Sequence, residues 1–501
     1  PSASIDQVTI NHMLEKIRQS KPEGFTIGQL QDTANQVTQY YRQQGFILAL
    51  AIIPQQKIQG GVVIVSVLPG ELGQLSTANN QHYSDPLLKA PFTSLIGKPV
   101  QAKDVESALL RLNDLPGLDA FGVFRPGKAV GETELILNAK TETPFEFAIY
   151  ADDHGVDTTG KKRVIGNFIW NNPVGNGDRL SITALQTFNP DESTYGAIYY
   201  ESLVFNPYWS AGFTYSVNEY AIGQEFGVTE FEGETRIASV FTKYSLTRTR
   251  DYSLWGKLDF SRKIAEIDLP AFNTKLGEDD LSVVSTTVEF NSLDTTLGGG
   301  INEGSISYHL GLADFAGSMD SKGDGDSLRT GGSGEQAGGD FQKLAFDLKR
   351  LQAVTTNSMV LLRLKGQFSN DLLSSIEQYS MGGPHSVRAF PVSEYIRDKA
   401  LFASAEWIFD VASDKDKSTS STPSQERVQL SFFLDYAKGR KNDHHKNLEK
   451  KEQNISGAGV GLELSLTEDF YIKMEAATPL NTHESINGDN YQLWFSTGLK
   501  F

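Results

Sequence analysis

Tyr491-Gln492-Leu493-Trp494-Phe495-Ser496-Thr497-Gly498-Leu499-Lys500-Phe501 closes the chain, and its alternation decides the fold. Successive side chains of a strand point to opposite faces, so Tyr491, Leu493, Phe495, Thr497, Leu499 and Phe501 share one side. Gln492, Ser496, Gly498 and Lys500 share the other, with Trp494 the one exception to its polarity. Aromatic residues are 10% of the sequence, so Phe501 as a C-terminal barrel signal gains weight only from its company. The same alternation recurs along most of the C-terminal two thirds, the pattern of a transmembrane β-barrel.

Working back from that segment, strand candidates fall near 145–151, 161–170, 179–189, 194–203, 208–218, 233–246, 251–261, 281–290, 301–311, 341–354, 358–368, 397–409, 426–436, 455–466, 469–477 and 489–501. That is about sixteen antiparallel strands, an even number within the range of bacterial outer-membrane barrels. Links after even-numbered strands are mostly short, such as Asn171 to Asp178 and Phe205 to Pro207. The links 262–280, 312–340, 369–396 and 437–454, all after odd-numbered strands, are long. Such sorting is expected when one end of every hairpin faces the periplasm and the other the exterior. The Ser- and Lys-rich link 410–425 breaks the rule.

The period of two also assigns faces. In 251–261, Tyr252, Leu254, Leu258 and Phe260 oppose Ser253, Lys257, Asp259 and Ser261. In 426–436, Val428, Leu430, Phe432, Leu434 and Tyr436 form the apolar face, which sends Gln429, Ser431, Phe433 and Asp435 inward. An interior carboxylate calls for a cation.

Before the barrel, Thr26 and Gln29 can form a capping box ahead of Ile27, Leu30, Ala34, Val37 and Tyr41, a helical stripe ended by Gly45. Phe46 to Ile53 and Val62 to Leu68 read as strands, and Gly70 closes the unit. Residues 72–140 repeat helix, strand, strand, with Val105, Ala108, Leu109 and Leu112 on the helix and strands near Leu118 to Phe124 and Glu134 to Ala139. Two small α+β modules result, residues 1–70 and 71–143, ahead of a barrel over 144–501. Their sheet edges could accept an extended peptide as an added strand, or the modules could serve as spacers.

Composition narrows the compartment. No run approaches the roughly 18 apolar residues of a spanning helix, and a barrel does not need one. The absence of cysteine suits a chain that crosses an oxidising space unfolded. No basic start and apolar stretch precede Ile5, so the numbering reads as that of a mature or trimmed chain, and any plug helix would lie upstream of Pro1. A net charge of −17 argues against nucleic acid as partner.

The link 369–396 contains Gly382-Gly383-Pro384-His385-Ser386-Val387-Arg388-Ala389-Phe390-Pro391. This resembles the Gly-Gly…Val-Arg-Gly-Phe/Tyr signature of two-partner secretion transporters (the TpsB family, secretion-activation proteins for haemolysin and filamentous haemagglutinin) and of related barrel assembly factors. Phe433-Leu434-Asp435-Tyr436-Ala437 is similar to that family's Phe-x-Asp-x-Gly wall motif, with Ala389 and Ala437 in place of glycines. Pro54-Gln55-Gln56, Ile58, Gly60 and Val62-Val63 look like the stretch of its periplasmic POTRA domain, and Asn172-Pro173…Gly177-Asp178 like its first periplasmic turn.

The resemblance implies that 369–396 is a lid folded into the pore, with Arg388 paired to Asp435. It implies an outer-membrane transporter with periplasmic N-terminal domains, exporting a large β-helical exoprotein. Further implied partners are outer-membrane lipids and the barrel assembly machinery during biogenesis, and the state is a monomer. A barrel assembly insertase and a passive porin are the alternatives.

Other chemistry finds no support. Gly155 to Lys162 almost spells a phosphate loop but lacks Ser or Thr after Lys161 and runs into a strand. Asp320, Asp324 and Asp326 lack EF-hand spacing, and His444 and His445 sit in a charged run from Lys438 to Lys451. His154 and His385 have no Ser or Cys partner for a triad. The expectation is no catalytic residue, no cofactor and no metal.

Overall fold

Alternation with one apolar face allows a sheet to close on itself with lipid outside and a polar lumen inside. The computed structural model describes residues 7–188, 193–222, 231–323, 325–413, 427–445, 450–481, 485 and 487–501. They divide into two compact units, one of residues 7–144 together with 174–177 and 248–250, and one that holds the barrel.

The barrel is closed and has sixteen strands. These are Phe145–Asp152, Lys162–Asn171, Arg179–Phe188, Ser193–Leu203, Trp209–Ile222, Phe231–Arg248, Tyr252–Leu269, Thr274–Asp294, Gly300–Gly311, Phe341–Thr355, Ser358–Phe368, Lys399–Ser413, Arg427–Arg440, Glu452–Ser465, Phe470–Pro479 and Gln492–Lys500. Closure joins the last to the first, with Ser496 opposite Asp152 and Lys500 opposite Ala148. Phe501 completes the seam: its N–H donates to the Phe147 carbonyl at 2.8 Å, and the two rings lie 5.7 Å apart.

Side-chain faces follow the period of two. On Arg427–Arg440, Leu430, Phe432, Leu434 and Tyr436 point outward and are 40–57% exposed, while Ser431, Phe433 and Asp435 are buried in the lumen. Ser253 and Ser261 face inward on Tyr252–Leu269, with Tyr252 and Leu258 outward.

One long link changes character. Residues 262–280 are chiefly strand, because Tyr252–Leu269 and Thr274–Asp294 continue their ladder to Leu269 opposite Thr274. The polar residues there read as a loop, yet the backbone ladder forms without an apolar face, and Arg236 of the preceding strand donates to Glu266 at 3.2 Å. The link 410–425 begins within Lys399–Ser413 and otherwise lies outside the described residues, as do Asp324 and part of the run from Lys438 to Lys451.

In the smaller unit the capping box forms, with Gln29 N donating to Thr26 Oγ1 at 3.3 Å and Thr26 N to Gln29 Oε1 at 3.1 Å. Helix Ile27–Gln43 buries Ala34 and Val37 against Ala51. Its strands are shorter than the expected ones, Leu50–Ile52 paired with Ser66–Leu68. A further helix, Gln7–Gln19, supplies Met13 and Leu14 to this core.

The second module has a strand that periodicity did not reveal, Glu71–Ala78, parallel to Glu132–Glu142. Leu72 and Leu75 are its only large apolar side chains and Gly73 interrupts them, so no alternation was legible. Glu132–Glu142 also pairs antiparallel with Leu118–Pro126, and helix Ala102–Asn113 buries Val105, Ala108 and Leu112.

Candidate functional site

A loop can enter a barrel only if its backbone is bent sharply and its polar groups find partners there. Gly382 and Gly383 supply the bend with φ of 99° and 92°, a left-handed conformation costly for other residues. A Cβ at Gly382 would lie 2.3 Å from the Pro391 carbonyl oxygen. The turn closes through Gly383 N to Phe390 O at 2.9 Å and Phe390 N to Val387 O at 3.2 Å. At its base, Tyr379–Met381 pairs with Tyr395–Arg397.

The loop carries an apolar anchor. Met381, Val387, Ala389 and Phe390 are sealed against Ala400, Phe402, Phe433, Ala437, Ile455 and Ala477 of the wall. Ala389 stands where the signature has glycine, and the close approach is provided from the wall instead. A Cβ on Gly457 would lie 2.3 Å from the Ala389 Cβ.

Arg388 is 1% exposed, and every N–H of its guanidinium has a partner. Nε and Nη2 donate to the two oxygens of Asp435 at 2.8 and 2.9 Å. Nη1 donates to Glu406 Oε2 and Glu475 Oε1, both at 2.8 Å, and Nη2 also reaches Ser404 Oγ at 3.4 Å. The main-chain N–H of Arg388 adds a bond to Asp435 Oδ2 at 3.1 Å. The guanidinium carbon lies 3.3 Å from the ring centre of Phe433, a cation–π contact.

Three carboxylates therefore surround one cation, and two more cations restore balance. Arg363 donates to Glu406 at 2.9 Å, and Lys473 lies 3.1 Å from Glu475. Arg388, Arg363 and Lys473 face Asp435, Glu406 and Glu475, a neutral set of six. Neutrality matters because an unmatched charge in such a site is costly, whereas a matched and hydrogen-bonded one is tolerated.

The structure thus brings Gly382, Gly383, Val387, Arg388, Ala389 and Phe390 together with Phe433 and Asp435. Phe501 lies elsewhere, at the seam. Sequence reading did not include Glu406, Glu475 or Trp494 in the site. Trp494 points inward and donates from Nε1 to the Arg388 carbonyl at 2.7 Å, so the exception on the last strand is a contact to this loop. His385 of the loop meets His154 edge-on at 5.7 Å, and His154 also meets Trp494 at 5.8 Å. Gly155 only closes a turn, its N–H donating to Lys161 O at 2.9 Å.

Comparison with known proteins gives a consistent picture. Residues 131–464 match the sequence model described as haemolysin secretion/activation protein ShlB/FhaC/HecB, and residues 4–70 match that of the ShlB-type POTRA domain. The heme/hemopexin transporter protein HuxB of Haemophilus influenzae strain 86-028NP is 23% identical over 486 residues, which cover 94% of this chain and 80% of that protein. The outer membrane transporter CdiB of Dickeya dadantii is 24% identical over 373 residues, 72% of this chain and 63% of that protein. Among solved structures, CdiB from Escherichia coli superposes with a TM-score of 0.77 at 19% identity, covering 99% of this chain and 88% of that one, a likeness of fold.

Proposed function

Because the chain belongs to the haemolysin secretion/activation protein family, we propose that it exports an extended exoprotein through its barrel, with Arg388 as the latch of a lid that must leave for transport. It is an outer-membrane transporter of the two-partner secretion type, with POTRA architecture at its N-terminus in the periplasm. Residues 1–70 and 71–143 are read as the periplasmic domains that receive the cargo, and 144–501 as the barrel. The cargo is read as a large β-helical protein and the transporter as a monomer delivered by the barrel assembly machinery. No step of this reading is enzymatic.

The observation that carries the latch is the fully satisfied Arg388. Its guanidinium donates five hydrogen bonds, to three carboxylates and to Ser404 Oγ, contacts that a passing polypeptide would have to displace. A polar latch suits a gate better than an apolar plug, because each partner can be re-solvated by lumenal water when the loop withdraws. A passive pore has no need of such a lid.

The test is secretion in a Gram-negative host that expresses the large exoprotein from the adjacent reading frame. Export that depends on this chain, and changes at least tenfold in D435A with the barrel still inserted, supports the reading. Equal export with D435A, and a lid unmoved in that variant, overturns it.

A further inference from the structure

Asp398 lies immediately before strand Lys399–Ser413, at the exterior rim and apart from the Arg388 cluster. Its side chain is fully buried, and its two oxygens gather donors from three separate exterior links. From 312–340 comes Arg329, a bidentate partner with Nη2 to Oδ2 at 2.8 Å. From the lid loop come the N–H of Leu373 and Nε2 of Gln378, both at 3.2 Å from Oδ1. From the link after Arg427–Arg440 comes the N–H of Asn442 at 2.7 Å from Oδ2.

Arg329 tightens the same knot, because its guanidinium also donates to the carbonyls of Leu373 and Asn442. Nearby, the Gly332 N–H donates to Asp443 O at 2.7 Å, and the Ser333 N–H to Asp443 Oδ1 at 3.1 Å. Two of the three links are thus joined twice. In the transport reading a chain leaves the lumen at this rim, where the three links are held together at one carboxylate.

We propose that Arg329 and Asp398 form a second lock, closing the exterior mouth independently of the Arg388 latch. The proposal rests on the transport reading above, in which a polypeptide must exit at this rim. Arg329 and Asp398 are positioning residues: they hold loops and take no part in binding the lid arginine. Cutting the knot frees the exterior loops while the inner latch stays shut, and cutting the latch frees the lid while the exterior links stay joined.

The cysteine-free chain allows a direct test. Ala337, fully buried on the same link as Arg329 with its N–H on the Arg329 carbonyl at 2.9 Å, is replaced by Cys as a reporter. In the otherwise native chain, inserted in vesicles, a membrane-impermeant maleimide labels it slowly. In D398N and in R329Q the labelling rate rises at least tenfold, and R329K restores slow labelling in part. Planar-bilayer conductance stays near the native level in D398N and is severalfold higher in the D398N/D435N double variant than in D435N.

Native labelling in both D398N and R329Q, with heat-modifiable barrel mobility intact, overturns the second lock. So does a D398N conductance already equal to that of the double variant. Should D398N fail to insert, R329Q and its combination with D435N carry the test. These readouts require no cargo, so their failure sinks the lock alone, while an unchanged export assay sinks the transport reading alone.

Discussion

Trp494 Nε1 donates a 2.7 Å hydrogen bond to the main-chain carbonyl of Arg388, fastening the inserted loop to the last strand of the barrel. That strand is also the one that closes the cylinder against Phe145–Asp152. The bond therefore ties the inserted loop to the seam.

Replacing Trp494 by Phe keeps an aromatic ring but leaves the Arg388 carbonyl unpaired. A buried unsatisfied acceptor costs about 1–3 kcal/mol, and that cost falls on the closed lid. The expected outcome for W494F is more frequent opening events in planar bilayers with an inserted barrel. Opening statistics equal to native would remove Trp494 from the latch.

Removal of one member of the ion cluster is expected to be more severe. In D435A, Arg388 loses two side-chain bonds and its backbone partner, and breaking a buried pair costs about 3–5 kcal/mol. E406Q is expected to cost less, because Arg388 then retains Asp435 and Glu475. Thermal unfolding in detergent, followed by gel mobility, should rank native above E406Q above D435A.

Gly457 provides the space that Ala389 occupies. G457A places a methyl against Ala389, an overpacking of about 1–3 kcal/mol, and is expected to push the lid out and raise conductance. The double variant A389G/G457A moves the methyl from lid to wall and should return conductance toward native. A double variant no better than G457A would refute the steric account.

His154 and His385 are expected to make the loop's seating in the barrel sensitive to acid. Both lie off the spanning strands, and enclosure by protein holds each imidazole below its ordinary value of about 6.5. For His385 the neighbouring His154, Lys365, Arg163 and Arg363 add to the effect. For His154, Arg163 acts the same way, against Asp152, Asp153 and Glu475. A depressed histidine favours the closed state when neutral, so closure is strongest above pH 6.5 and weakens as pH falls from there. Bilayer conductance should rise between pH 7.5 and pH 5, and H154Q/H385Q should flatten that rise.

In the smaller unit, T26A removes one half of a formed capping box. The expected loss is about 1 kcal/mol in the stability of that unit, read from chemical denaturation of the purified chain. No change in bilayer conductance is expected.

Alternation made the barrel legible, because a lipid-facing residue must be apolar and its neighbours need not be. The inward parity of Asp435 follows from that rule alone, and Arg388 was legible through its motif. Glu406 and Glu475 carried no such mark. Polar residues at lumenal positions are ordinary in a barrel, and nothing in either local stretch distinguishes a carboxylate that meets Arg388 from one that meets water. The strand Glu71–Ala78 was hidden for a different reason, since too few large side chains recorded its periodicity.

The order of residues by itself determined the strand count, the inside and outside of each strand, and the glycines that bend the lid. Those are local properties, set by period and by backbone freedom. Only the tertiary structure decided which inward residues share a height in the lumen. Parity tells a side chain which face to take, whereas height depends on the stagger of every ladder between two strands, summed around the cylinder. That sum brings Trp494, 106 residues away, onto the carbonyl of Arg388, and gathers three exterior links at Asp398.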